Sequence, residues 1–276
     1  MPAVGPELPI RMLHYETHVV SLPPPPNPPD PEHIPNEREV REDLAAAYRL
    51  VALFGMTDLV FTHLSARLPG TEHRFLVNPY GLLFEEITAS SLVEVDASGE
   101  PTQPVAWPVN PAGFVIHSAV HLGRPEVLCV MHTHTLAGMA IAARKEGILP
   151  LNQISMEFDG QVALHDYEGI AADDNLAERE RLVRDLGTKS CMILRHHGLL
   201  TVGRSVSEAF YWMWYLEQAC RIQLAATQGG AEVDIPPREV VARTKAQLSN
   251  DGLNKGWLPW QALRRKLDRE QPDYRS

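Results

Sequence analysis

Apolar residues recur at helical spacing at Val40, Leu44, Tyr48 and Val51, which predicts a helix over residues 36–55 with one buried stripe. Asn36 and Glu39 have the spacing of a capping box, and Gly55 is placed to stop the helix. Shorter apolar runs come next in "LVFTHLSARL", "HRFLVNP" and "LVEVD", bounded by turn residues, and these predict strands. "GFVIHSAVHLG" predicts a helix, "VLCVM" a strand, and "LAGMAIAARKEG" a helix ending at Gly147. "NLAERERLVRDLG" predicts another helix, with Asp174 as its cap and Gly187 as its stop. "SCMILRHHGLLTVG" reads as two short strands broken at the histidines. The long helix in "SVSEAFYWMWYLEQACRIQLAA" opens on a Ser205–Glu208 capping pair, and its aromatics read as core packing. Two further helices are expected in "PPREVVARTKAQL" and "WLPWQALRRKLDR". Strands mixed with helices in no strict alternation point to a layered α/β or α+β domain.

Residues 1–35 differ in kind. "SLPPPPNPPDPEHIP" cannot form helix or a central strand and is expected to run as an extended, polyproline-like arm. The chain then divides into a folded body at 36–232 and a helical tail at 233–276 that packs on it. A formal net charge of −10 argues against a general nucleic-acid or membrane-surface binder. No apolar run approaches the roughly 20 residues of a membrane helix, and the N-terminus lacks the order of a secretory signal, so a cytoplasmic protein is expected. Cys129, Cys191 and Cys220 sit apart among apolar residues and read as buried free thiols.

The candidate chemistry lies in the histidines. In "VMHTHTLAG", His132 and His134 are two residues apart at a strand end, so both imidazoles can face one point. "LRHHGLL" offers His196 and His197 at the end of another strand; adjacent strand residues face opposite ways, so one of the two is expected to complete a three-histidine site. Three imidazoles with open positions make a catalytic divalent-metal site.

"HTH", "RHHGLLTVG", "RPEV", "VNPYGLLFEEITASSLVEVD", "NPAGFVIHSAVH" and "SVSEAFYWMWYLEQACRIQ", in this chain from about Asn36 to Gly230, resemble the class II aldolase/adducin family, closest to the adducin head and its bacterial relatives. The resemblance implies a single three-layer α/β/α domain with a mainly antiparallel sheet, and a homotetramer with sites between subunits. It implies one divalent metal ion per subunit (zinc, iron or manganese) on His132, His134 and His197, with His196 standing where the family usually has Asn.

The departures from the family pattern are as informative. The Glu that serves the aldolases as acid/base falls on Gly113, and two phosphate-binding serines fall on Pro111 and Ala112. An asparagine that helps hold phosphate falls on His63, and a small hydroxyl residue falls on Tyr80, although Gly81 is kept. The tyrosine lent by a neighbouring subunit falls near Ile154. A sugar-phosphate aldolase is therefore not expected. Gly113, His63, Gly81 and His196 are expected to contact a small-molecule substrate, with Gly113 leaving space for it. His117, Glu157 and Tyr80 are the acid/base candidates, against the plainer readings that His117 only fills core and Glu157 is a solvated loop charge; His121 reads as surface.

Three functions fit this reading. The first is a metal-dependent lyase that cleaves a C–C bond of a non-phosphorylated carbonyl or carboxylic substrate by decarboxylation or retro-aldol reaction, with aromatic and apolar pocket walls in "YGLLFEE" and "ISMEF". The second is a non-haem iron oxygenase that decarboxylates a hydroxyphenylpyruvate-type substrate oxidatively. The third is a catalytically silent, adducin-like interaction domain.

Overall fold

The computed structural model describes residues 27, 30, 33–71, 73–169, 176–249 and 255–276. Most of the Pro-rich arm and the expected cap Asp174 lie outside them.

Helix α1 (Glu37–Leu53) begins with the expected capping box, in which the Asn36 side chain accepts from the Glu39 amide and Glu39 reaches back to the Asn36 amide. Its inner stripe, Val40, Leu44, Tyr48 and Val51, is fully buried. Next come β1 (His63–Arg67), β2 (Phe75–Val77), β3 (Val93–Val95), α2 (Pro111–Gly123), β4 (Cys129–Thr133), α3 (Leu136–Ala142), the short α4 (Gln153–Met156) and β5 (Val162–His165). The chain continues through α5 (Leu176–Leu186), β6 (Cys191–Leu194), β7 (Gly198–Gly203), α6 (Val206–Ala226), α7 (Arg238–Leu248) and α8 (Trp257–Glu270).

Among the described residues seven strands form one sheet in the order β3-β2-β1-β4-β7-β6-β5. Every pairing is antiparallel except β5 with β6. Side-chain alternation sorts the sheet into two faces. Leu64, Ala66, Cys129, Met131, Ile193 and Leu199 join the main core with α1, α3 and α6. Val130, Met192, Leu194, Leu200 and Val202 join a second core against α2 and α5. The protein is thus the three-layer α/β/α domain with a mostly antiparallel sheet that the sequence led us to expect.

Strand register brings the histidines together. His63 on β1 lies directly opposite His132 on β4, so two histidines of distant sequence share the α2 face of the sheet. All three cysteines are buried free thiols. No helix among the described residues is long and apolar enough to cross a membrane.

Several local expectations are corrected. The first strand starts only at His63, because Leu59 and Thr62 take left-handed backbone conformations (φ 50° and 65°) and the Phe61 amide turns back to the Asp58 carbonyl. Helix α3 stops at Ala142 rather than Gly147; the Ala142 carbonyl accepts from the His196 amide, and the Arg195 guanidinium takes the carbonyls of Arg144 and Lys145. The α6 aromatics do pack on the core, with Phe210 buried in it and Trp212, Trp214 and Tyr215 half-buried against it, while Tyr211 and Trp212 lie beneath the Lys255 ammonium. Strand β5 and helix α4 are elements beyond those the apolar pattern predicts.

Candidate metal centre

Three chain segments converge on one point. β4 carries His132; the chain leaves the strand at Thr133 and presents His134 just before Thr135, whose hydroxyl caps α3 by accepting from the Gly138 amide. The turn between β6 and β7 carries His197. Each pair of these three rings has its centroids 4.7 Å apart. One nitrogen from each lies within 4.8 Å of the other two, and among the described residues this is the one such cluster of three.

The hydrogen bonds fix the tautomers. His132 Nδ1 lies 2.9 Å from the Leu199 carbonyl and His134 Nδ1 lies 2.9 Å from an Asp58 carboxylate oxygen. Both partners only accept, so both rings donate from Nδ1, and in His132, which burial keeps neutral, Nε2 carries a bare lone pair. Those two Nε2 atoms are 2.9 Å apart. A cation shared by the two rings fits this approach, since tetrahedral zinc with bonds of about 2.0–2.1 Å spaces its nitrogens by roughly 3.3 Å. Burial drives the His132 pKa well below the usual value and that of His197 down to about 4, which keeps these rings neutral at pH 7. Neutral, oriented imidazoles are the form that ligates. The triad therefore fits a divalent metal ion with one or two open positions.

A cavity of about 420 Å³ opens on the triad, walled by Phe61, Tyr80, Ile116 and Tyr167 and floored by Thr62, His63, Asn110 and Gly113. Of the expected substrate contacts, His63 and Gly113 line it, as does the acid/base candidate Tyr80. The space beside Gly113 is not open to substrate, however. A Cβ built there would lie 2.2 Å from His63 Cε1 and 2.5 Å from its Nδ1, so the His63 imidazole occupies the volume that a side chain at 113 would take. His63 Nε2 sits 2.8 Å from the Gly113 carbonyl.

Behind His63 lies a buried polar chain. Its ring packs on His117 at 4.2 Å between centroids, and His117 Nδ1 is 2.6 Å from Ser65 Oγ. The same Oγ is 2.8 Å from His121 Nε2, so one serine hydroxyl bridges two imidazoles. His117, an acid/base candidate, thus lies behind His63 and is not among the residues that line the cavity. His121 is fully buried and stacked on Phe75 at 4.7 Å, not a surface residue. Burial lowers the His63 pKa to about 4 and that of His121 to about 3, and holds His117 well below its usual value.

Three more candidates fall elsewhere. His196 is exposed in the β6–β7 turn with φ 56°, a left-handed conformation that His and Asn tolerate better than most residues. The turn, not strand alternation, separates it from His197. Gly81, at φ 113°, is also outside the cavity; a Cβ there would meet the Trp107 ring at 3.2 Å. Glu157 is neither a solvated charge nor a cavity group. It is 3% exposed, ion-paired with Lys255 and accepts from the Tyr211 hydroxyl at 2.9 Å, tying the C-terminal segment to α6.

Sequence reasoning does not single out Asp58, Thr62, Asn110 or Tyr167. Asp58 and Thr62 precede β1 in a turn whose left-handed residues carry no turn signature. Tyr167 comes after β5, and the alternation in "QVALHDY" is its one available signal.

The comparisons with known proteins agree with this architecture. The family described as the class II aldolase and adducin N-terminal domain matches residues 42–224. An aldolase class 2 type protein of Pseudomonas aeruginosa is 49% identical over 244 residues, covering 87% of this chain and 93% of its own. The crystal structure of an aldolase II superfamily protein from Pseudomonas syringae superposes with a TM-score of 0.83 at 52% identity, over 89% of this chain and 98% of that one. The L-fuculose 1-phosphate aldolase of Glaciozyma antarctica superposes at 0.78 with 30% identity, over 90% and 97%. The chain belongs to the class II aldolase/adducin N-terminal domain family.

Proposed function

We propose that the protein is a divalent-metal-dependent lyase that cleaves a C–C bond of a non-phosphorylated carbonyl or carboxylic substrate. The observation that carries this reading is the trio of converging imidazoles lining a cavity large enough for a small organic molecule. His132, His134 and His197 would hold the ion, with the Leu199 carbonyl and the Asp58 carboxylate fixing the first two rings. When bound, the ion supplies Lewis acidity toward a carbonyl or carboxylate oxygen. Phe61, Ile116, Tyr80 and Tyr167 give the substrate an apolar and aromatic surround.

The absence of a phosphate cradle supports the non-phosphorylated substrate. Pro111 and Ala112 bring no hydroxyl to the start of α2, and His63 replaces an amide. Gly113 offers no carboxylate to move a proton at carbon. Loss of carbon dioxide has no C–H proton to remove at the outset, so a missing carbon base costs a decarboxylase less than an aldolase, in which a group must return a proton to the enolate carbon after cleavage. The Glaciozyma relative is named for a sugar phosphate, and this reading places the present chain apart from it in substrate.

The test is a turnover panel on full-length protein loaded separately with zinc, manganese and iron. It should contain hydroxy-ketones, 3-hydroxy acids, aromatic 2-oxo acids and the fuculose, rhamnulose and ribulose phosphates. The reading expects chelator-sensitive cleavage within the non-phosphorylated set. Efficient cleavage of a sugar phosphate would overturn the substrate class, and metal binding without turnover on any member would favour the silent, adducin-like function.

A further inference from the structure

We propose that Thr62 and His63 form a hydroxyl-recognition subsite beside the metal triad, so that the substrate presents an uncharged hydroxyl group there. This deepens the lyase reading and rests on it for the kind of molecule that enters.

The two residues are consecutive, line the same cavity, and are 4% and 8% exposed. Each carries a buried side-chain atom without a hydrogen-bond partner, Thr62 Oγ1 and His63 Nδ1. Such atoms are uncommon in folded proteins, and two on adjacent residues in one cavity point to a ligand that satisfies both. The tautomer of His63 decides what that ligand is. Its Nε2 is 2.8 Å from the Gly113 carbonyl, which can only accept, so the proton is on Nε2 and Nδ1 is an acceptor. The Thr62 hydroxyl can donate. A substrate hydroxyl matches the pair, donating to Nδ1 and accepting from Oγ1. A phosphate or carboxylate oxygen has no proton to give and would face the Nδ1 lone pair.

The backbone is committed to this arrangement. Thr62 is β-branched yet sits at φ 65°, a conformation such residues rarely adopt and one that recurs at ligand sites. His63 is held in place from three sides: by Gly113, whose missing side chain gives it room, by the His117 ring at 4.2 Å, and by its cross-strand neighbour His132.

The experiment is a ligand-binding comparison by NMR on the zinc-loaded full-length protein, with hydroxyacetone, butanone and acetonyl phosphate, which has no free hydroxyl, as probes. Hydroxyacetone and butanone have the same carbonyl and nearly the same size, and differ by one hydroxyl. The wild type should bind hydroxyacetone roughly tenfold or more tightly than either other probe, since a site built for a hydroxyl rejects the analogue lacking it. Thr62→Val and His63→Phe should lose that preference with metal content unchanged, while Thr62→Ser, which keeps the hydroxyl, should retain it. Equal preference in wild type and both variants, or tighter binding of the phosphate, would overturn the proposal. If no probe binds, the lyase reading fails, and the subsite is decided by the ¹⁵N resonances of His63: protonated Nε2 with bare Nδ1 supports it, and protonated Nδ1 overturns it.

Discussion

Gly113→Ala adds a single methyl group where the His63 ring already lies, and the outcome can be worked through before it is made. The new Cβ would sit 2.2 Å from Cε1, 2.5 Å from Nδ1 and 2.7 Å from Nε2, so the imidazole itself must move. It has little freedom, being packed against His117 and hydrogen-bonded to the Gly113 carbonyl. Forcing an extra carbon into a filled site costs about 1–3 kcal/mol, and losing a neutral hydrogen bond adds about 0.5–1.5 kcal/mol. Alanine in a helix recovers about 0.8–1 kcal/mol over glycine. The net expectation is a loss of about 1–3 kcal/mol. Urea denaturation of four proteins measures it: wild type, Gly113→Ala, His63→Ala and the double variant. In the His63→Ala background the methyl group enters vacated space, so the same substitution should be neutral or stabilising by up to about 1 kcal/mol. The coupling between the two sites should then reach about 1–3 kcal/mol. Gly113→Ala that stabilises equally in both backgrounds would refute the claim that His63 fills the place of a side chain at 113.

Other outcomes rest on the same geometry. Asp58→Asn removes the carboxylate that orients His134, and metal affinity measured by competition with a chelator should fall about 10–100-fold. Glu157→Gln leaves the Lys255 ammonium buried without its counter-charge; stability should fall by about 3 kcal/mol in urea with metal stoichiometry unchanged, and a loss of metal with no loss of stability would return Glu157 to the site. His121 titrates near 3 in the folded protein against about 6.5 when unfolded, so below pH 6.5 the unfolded chain takes up the proton first. Its contribution is complete above that pH and declines as pH falls toward 3; between pH 7 and 5 about 2 kcal/mol should be lost, and His121→Gln should lose correspondingly less over the same interval.

The parts of this protein most legible in its sequence are those governed by short-range rules. The Asn36 and Ser205 caps, the stripe of α1 and the H-x-H spacing at the end of β4 each depend on a few neighbouring residues. The three-layer fold is legible from motifs taken together in order. What the sequence hides is set by contacts across the sheet. That His63 faces His132 is a matter of β1–β4 register, which no local pattern fixes, and this register turns Gly113 from an open space into an occupied one. Strand alternation does not extend into the β6–β7 turn, where the left-handed backbone sends His196 to solvent rather than to substrate. Glu157 gives no sign of its partner because Lys255 lies almost a hundred residues away, on a segment whose packing only the fold reveals.

The central claim is that His132, His134 and His197 together hold one divalent ion. Metal content per subunit, determined by mass spectrometry on untagged protein after loading with zinc and removal of excess, tests it most directly. One ion per subunit is predicted for wild type and for His196→Ala, and none for His132→Ala, His134→Ala or His197→Ala when circular dichroism shows each to be folded. Full occupancy in folded His197→Ala, or an empty wild type, would contradict the account.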